Sequence, residues 1–284
     1  MLLFLYSILL LAGLGLAGAL VLYATARRFH IDEDPRIDTI ASLLPGANCG
    51  GCGLKGCRDF ATQCVRQGSL DGIHCPVSSP AAIGEIAKVL GVEAVAGVER
   101  RVAVLKCNGT CSARPELYTY DGARSCAVMD VVAVGTRGCS YGCLGCGDCV
   151  AVCRFGAISI NPETMLPVVD ADKCTACGAC TAECPRHLLE LRPVGRRDRR
   201  VWVACSNRER GAVARRVCQA ACIGCGKCAR ECPFGAITVA DNLAYINPDT
   251  CKACGKCVGV CPTGAIHATF TIVPPKPKAE TEKQ

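Results

Sequence analysis

The chemistry that this sequence can do rests in its cysteines. Four runs repeat one spacing: Cys143, Cys146, Cys149 and Cys153; Cys174, Cys177, Cys180 and Cys184; Cys222, Cys225, Cys228 and Cys232; Cys251, Cys254, Cys257 and Cys261. Three thiolates spaced by two residues can wrap one face of an iron–sulfur cubane, and the fourth cysteine of such a run serves the neighbouring cluster. Three of the four runs continue into proline. A disulfide scaffold is the competing reading of 27 cysteines in 284 residues, but such scaffolds are short, secreted and irregularly spaced. A zinc ribbon takes its ligands as two separated pairs rather than as triplets.

On this logic Cys222, Cys225 and Cys228 with Cys261 hold one [4Fe–4S] cluster, and Cys251, Cys254 and Cys257 with Cys232 hold its neighbour. Cys174, Cys177 and Cys180 with Cys153 hold a third. A fourth takes Cys184 and three of Cys139, Cys143, Cys146 and Cys149; spacing favours the last three, and the choice between Cys139 and Cys146 stays open. The small residues Gly224, Gly226, Ala253 and Gly255 in the gaps let the backbone curl close to the sulfides.

Nearer the N-terminus the spacing changes. Cys49-Gly50-Gly51-Cys52 is followed by Cys57 and then Cys75-Pro76, which suits one further [4Fe–4S] cluster with Cys75 as the distant ligand. Cys64 lies two helical turns beyond Cys57 and reads as a buried free thiol. Cys107, Cys111, Cys126 and Cys139 are candidates for a sixth cluster, against the reading that they are structural thiols in a dry core. Cys205 and Cys218 receive no role. The expected cofactors are therefore five clusters, or six if the last set is filled.

The elements that must position these thiols are repeated. Val102–Lys106 ends at Cys107 and Val201–Ala204 ends at Cys205, both strand-like. Phe155-Gly156-Ala157-Ile158 matches Phe234-Gly235-Ala236-Ile237. The copies differ mainly between Cys107 and Cys139, which span 32 positions where Cys205 to Cys218 spans 13. The predicted class is α+β: an apolar anchor helix over 1–26, a linker over 27–35, a small helical cluster domain over 36–92 containing an amphipathic helix from Pro80 to Leu90, and two tandem ferredoxin-like modules of β-hairpin and helix over 98–192 and 200–270. A tail over 274–284, rich in Pro, Lys and Glu, has too few apolar residues to fold. Ile158, Ile160, Val168 and Val169 are expected to line the first module, and Ile237, Val239 and Ile246 the second. Aromatics make up 5% of the chain, so metal–thiolate bonds must carry much of the folding energy.

Residues 1–26 carry no charge and Arg27-Arg28 follow. The span is long enough to cross a hydrocarbon core of about 30 Å, and the arginines place the body on the cytoplasmic side of the membrane as a single-pass protein. A cleaved signal peptide is the rival, because Ala24-Thr25-Ala26 resembles a cleavage site; the missing basic start and the reduced thiols argue against it. The net charge of +7 suits an acidic protein partner or anionic lipid; no nucleic-acid motif accompanies it. Arg196-Arg197-Asp198-Arg199-Arg200 reads as a solvated loop. His30, His74, His187 and His267 read as surface or capping residues. No catalytic triad, Walker loop or Rossmann glycine pattern is present, so the chain is expected to have no substrate chemistry of its own.

The order of these features resembles the B component of the Rnf (Rsx) complex: an apolar helix, Cys49-Gly50-Gly51-Cys52-Gly53, Cys57-Arg58-Asp59-Phe60-Ala61, Cys75-Pro76, then ferredoxin runs, here in the longer form with two pairs. The resemblance implies an electron-transfer subunit of an ion-translocating ferredoxin:NAD oxidoreductase. It would take electrons from soluble ferredoxin and relay them to membrane partners, with Cys49, Cys52, Cys57 and Cys75 as ligands of the first cluster. A subunit of another membrane dehydrogenase or hydrogenase is the alternative, and a cluster-based redox sensor a more distant one.

Overall fold

The computed structural model describes residues 2–28, 33–93, 99–132 and 136–272. Positions 29–32 of the expected linker, with His30 among them, and the 274–284 tail lie outside these residues. Helix α1 (Leu2–Arg28) runs two residues beyond the uncharged span and ends on Arg27 and Arg28. Its window Ile8–Thr25 is long and apolar enough to cross a membrane, and none of it is buried in the protein.

A three-helix unit follows, made of α2 (Pro35–Leu43), α3 (Cys57–Gln67) and α4 (Pro80–Leu90). Asp34 and Ser79 cap α2 and α4 by accepting the N–H groups of Arg36 and Ala82, with proline at the first helical position in both, where its missing N–H costs nothing. Helices α3 and α4 stop at Gly68 and Gly91, both left-handed. Ile37, Ile40, Phe60, Cys64 and Ile86 form the centre of the core. Cys64 is fully buried, and burial pushes its thiol up to about 11.

The two repeats share one topology. In the first, β1 (Arg101–Leu105) is followed by α5 (Cys126–Val132), α6 (Asp148–Ala151), the hairpin β2 (Ile158–Ile160) and β3 (Pro167–Val169), α7 (Ala179–Glu183) and β4 (Leu189–Pro193). In the second, β5 (Val201–Val203) is followed by α8 (Gly211–Val217), α9 (Lys227–Glu231), the hairpin β6 (Ile237–Ala240) and β7 (Leu243–Ile246), α10 (Lys256–Gly259) and β8 (Ile266–Ala268). First and last strands pair antiparallel, β1 with β4 and β5 with β8, giving four two-stranded sheets with the hairpins. The insertion in the first repeat supplies α5 and, among the described residues, a bridge from Glu116 to Arg137.

Two expectations about the cores need correction. Ile158, Ile237 and Ile246 are buried, but Val168 is 50% and Val239 38% exposed. Val168 pairs with Ser159 on the outer face of its hairpin, since strand side chains alternate; Val239 lies near the tip of the other. The arginine run is likewise not simply solvated. Arg200 is buried against Asp198 at 3.0 Å, and the Arg199 guanidinium stacks 3.9 Å over the Phe270 ring.

The repeats dock through polar bonds. Trp202 Nε1 donates to the Leu105 carbonyl (2.9 Å), Ser206 Oγ to the Lys106 carbonyl (3.1 Å) and Arg192 to the Val201 carbonyl (3.2 Å). The three-helix unit meets the first repeat where Arg154 Nη1 donates to the Ala47 and Asn48 carbonyls at 2.7 and 3.2 Å.

Candidate iron–sulfur centres

All 27 cysteines are free thiols in the structure. Among the described residues no three His, Cys, Asp or Glu side chains converge tightly enough for a single metal ion. The thiols instead ring cavities of about 270–430 Å³, the arrangement that a polynuclear cluster requires. One cavity is walled by Cys153, Cys174, Cys177 and Cys180, a second by Cys222, Cys225, Cys228 and Cys261, and a third by Cys232, Cys251, Cys254 and Cys257. Each pairs a triplet with the distant cysteine of the neighbouring run.

The local backbone explains why. In every triplet the residue before the second cysteine and the one after it are left-handed: Gly145 and Gly147, Ala176 and Gly178, Gly224 and Gly226, Ala253 and Gly255. Ala176 and Ala253 adopt this conformation at a cost of about 1–3 kcal/mol, which the ligand loops tolerate at the same place in both repeats. Successive turns of this kind aim N–H groups into a concavity that suits anions. Helices α6, α7, α9 and α10 begin there without a side-chain cap, leaving their first N–H groups available to sulfur. The distant cysteines already accept such bonds: Ala157 N–H donates to Cys153 Sγ (3.3 Å) and Leu188 N–H to Cys184 Sγ (3.4 Å).

A fourth cavity is lined by Cys143, Cys149, Cys184 and Cys126. Cys146 stands beside it, its Sγ 3.0 Å from Met129 Sδ on α5. The last corner is thus shared by two thiols, one from the triplet and one from the insertion. Asp148 Oδ2 fixes the start of α5 by accepting from Ser125 Oγ (2.9 Å) and the Cys126 N–H (2.8 Å). Burial pushes the Cys143 and Cys146 thiols up to about 12, with the charges of Cys107 and Cys126 respectively adding to it. Burial does the same for Cys180 and Cys257. Protons must therefore leave these thiols when iron binds.

Arg186 also lines this fourth cavity. It is ion-paired to Asp130 (2.6 Å) and donates to the Gly142 carbonyl (2.6 Å). A buried positive charge favours the reduced, more negative state of a neighbouring redox group. Arg186→Met is expected to lower the potential of this centre alone in an EPR-monitored titration. Stability is expected to fall by somewhat less than the roughly 3–5 kcal/mol typical of breaking a buried pair, because Asp130 reaches solvent; an unchanged potential would refute the assignment.

In the three-helix unit, Cys75 belongs to the core and Cys52 and Cys57 pack against it. Cys57 N–H donates to Asn48 Oδ1 (2.8 Å), which ties the Cys49 loop to the head of α3. Burial lowers the pKa of His74, the residue before Cys75.

The set Cys107, Cys111, Cys126 and Cys139 is not brought together. Cys126 belongs to the fourth cavity, and Cys111 Sγ donates to the Thr164 carbonyl at 3.6 Å. Cys107 and Cys139 instead face Cys205 and Cys218 across the boundary between the repeats. The signal was present in the sequence, because these four occupy equivalent places in the two copies.

Comparison with known proteins agrees with the chemistry of these sites. The family model described as a 4Fe-4S dicluster domain matches residues 142–219 and 221–265, and one described as a putative Fe-S cluster matches 44–77. The chain is therefore an iron–sulfur protein of mixed helix and strand with tandem dicluster domains and an apolar N-terminal helix. It is 45% identical over 240 residues to the B component of the Na(+)-translocating ferredoxin:NAD(+) oxidoreductase complex of Acetobacterium woodii, covering 84% of this chain and 68% of that protein. It is 42% identical to the B component of the ion-translocating oxidoreductase complex of Methanosarcina acetivorans, over 86% of this chain and 90% of the relative. A proton-translocating counterpart from Clostridium ljungdahlii is 37% identical over 82% and 81%. The chain belongs to the B-component family of ion-translocating oxidoreductase complexes, the Rnf family.

Proposed function

We propose that this chain accepts electrons from soluble ferredoxin at its second repeat and passes them through its cluster sites to membrane subunits of an Rnf-type ferredoxin:NAD oxidoreductase. In this reading the repeats are ferredoxin-like modules. Cys222, Cys225, Cys228 and Cys261; Cys232, Cys251, Cys254 and Cys257; and Cys153, Cys174, Cys177 and Cys180 each hold a [4Fe–4S] cluster. Cys143, Cys149 and Cys184 with Cys146 or Cys126 hold another, and Cys49, Cys52, Cys57 and Cys75 hold the one in the three-helix unit. Bound clusters supply one-electron transfer. The protein supplies low-dielectric walls, N–H donors to sulfur and close spacing between sites. Helix α1 anchors the chain, with Arg27 and Arg28 on the cytoplasmic flank.

One observation supports entry at the second repeat. Of the 27 cysteines only Cys225 and Cys254 are exposed, one at each of its cavities. Lys227, Lys252 and Lys256 line those two cavities and are exposed. Ferredoxins are commonly acidic, so a lysine-ringed entry point speeds encounter. Stopped-flow reduction of the anaerobic protein by reduced ferredoxin tests this. The rate is expected to fall steeply as salt shortens the Debye length from about 10 Å at 0.1 M, and by about tenfold or more at low salt in the variant K252E/K256E. A rate indifferent to both would reject docking at this face.

A further inference from the structure

We propose that Cys107, Cys139, Cys205 and Cys218 bind a further [4Fe–4S] cluster at the junction of the two repeats, each repeat giving two ligands. The inference rests on the reading of the other sites as clusters. The four thiols wall one cavity of about 270 Å³, close in size to the cavity of about 300 Å³ walled by Cys222, Cys225, Cys228 and Cys261. They are related by the repeat: Cys107 and Cys205 follow β1 and β5, while Cys139 and Cys218 lie four residues before Cys143 and Cys222. The backbone repeats the relation, since Cys143 N–H donates to Cys107 Sγ (3.4 Å) and Cys222 N–H to Cys205 Sγ (3.2 Å).

A buried cation points to a negatively charged occupant, and a buried amide reaches one of the four thiols. Arg114 is 3% exposed and lines the cavity. Its guanidinium donates to the Gly109 and Cys143 carbonyls (2.8 and 2.9 Å) and makes no ion pair among the described residues. A buried cation without a counter-charge is unfavourable; four thiolates around a cubane core would supply that charge. Gly109 and Gly142 admit Arg114, because a Cβ at either would fall 2.4 and 2.2 Å from its nitrogens. Asn207, 1% exposed, directs Nδ2 toward Cys139 Sγ at 3.5 Å and also donates it to Glu209 Oε2 (3.3 Å), while its Oδ1 accepts the Glu209 N–H (2.7 Å).

Ligation replaces four S–H bonds by four S–Fe bonds and releases four protons, with a preformed [4Fe–4S] core delivered by cluster-assembly machinery and no change in its oxidation state. The site lies between the Cys143 and Cys222 loops, so it would bridge the gap between the centres of the two repeats.

Iron and acid-labile sulfide in the anaerobically purified full chain test the proposal. About 24 irons are expected, against about 20 for five clusters at four irons each. The variant C139A/C218A is expected to lose four irons and one cluster's EPR signal while keeping the other five. About 20 irons in the wild type, or a variant with unchanged iron, would overturn the junction cluster and leave the five-cluster reading standing. Iron near zero would overturn both. Should the variant lose more than one cluster through misfolding, the wild-type count still decides.

Discussion

Removing iron from this protein is expected to unfold both repeats, leaving helical signal from α1 and part of the three-helix unit. The reason lies in what each part can bury. The repeats consist of four two-stranded sheets, and a lone two-stranded hairpin is marginal in water. Helices α5 to α10 are four to seven residues long, far below the roughly 12–15 at which an isolated helix becomes marginal. Their cores hold Cys180, Cys228 and Cys257 among Ala, Val, Ile and Leu, with no buried aromatic ring among the described residues. Metal–thiolate bonds must make up the difference; in small zinc domains such binding supplies about 10–16 kcal/mol. The three-helix unit has Phe60, Ile40 and Ile86 fully buried and capped helices, so it keeps part of its structure even though Cys75 belongs to its core. Hydrogen exchange with circular dichroism on the iron-free chain checks this. Amides of β1 to β8 are expected to lose protection, and persistent protection there would show that the repeats fold without metal.

A single methyl group at residue 51 is expected to uncouple the N-terminal centre from the rest. Gly51 lies in the Cys49–Cys52 loop, and a Cβ there would stand 2.6 Å from the Cys177 carbonyl oxygen and 3.0 Å from Pro76. Cys177 walls a cavity of the first repeat, so two ligand loops touch at this glycine. Both obstacles are backbone or ring atoms that cannot swing away, and overpacking of this kind typically costs about 1–3 kcal/mol. The Arg154 bonds to Ala47 and Asn48 hold the same contact from its other side. Gly51→Ala is expected to keep its full iron content yet slow reduction of the N-terminal cluster in freeze-quench EPR, with Arg154→Ala acting in the same direction. Normal transfer in both variants would mean that electrons reach this centre by another route.

Much of the site was legible from residue order because a cluster loop is a local object. A triplet with two-residue gaps can close on a cubane wherever it is placed, so the groupings around Cys177, Cys225 and Cys254 follow from spacing, as do the apolar helix and the repeat. The triplet at Cys143 was less legible. The insertion brings Cys126 on α5 to the corner where spacing favours Cys146, and nothing in the order of residues reveals where an insertion folds back.

What the amino-acid sequence by itself determined was which thiols share a loop, how often that loop recurs and that an uncharged helix precedes them. Docking of one repeat on the other decided what lies between them: Cys107 and Cys139 facing Cys205 and Cys218 around a cavity that the buried Arg114 also lines. Those relations join residues about 70 to 100 positions apart. Spacing carries no information about them, because they depend on which surfaces meet when two separately formed units bury their polar groups against each other.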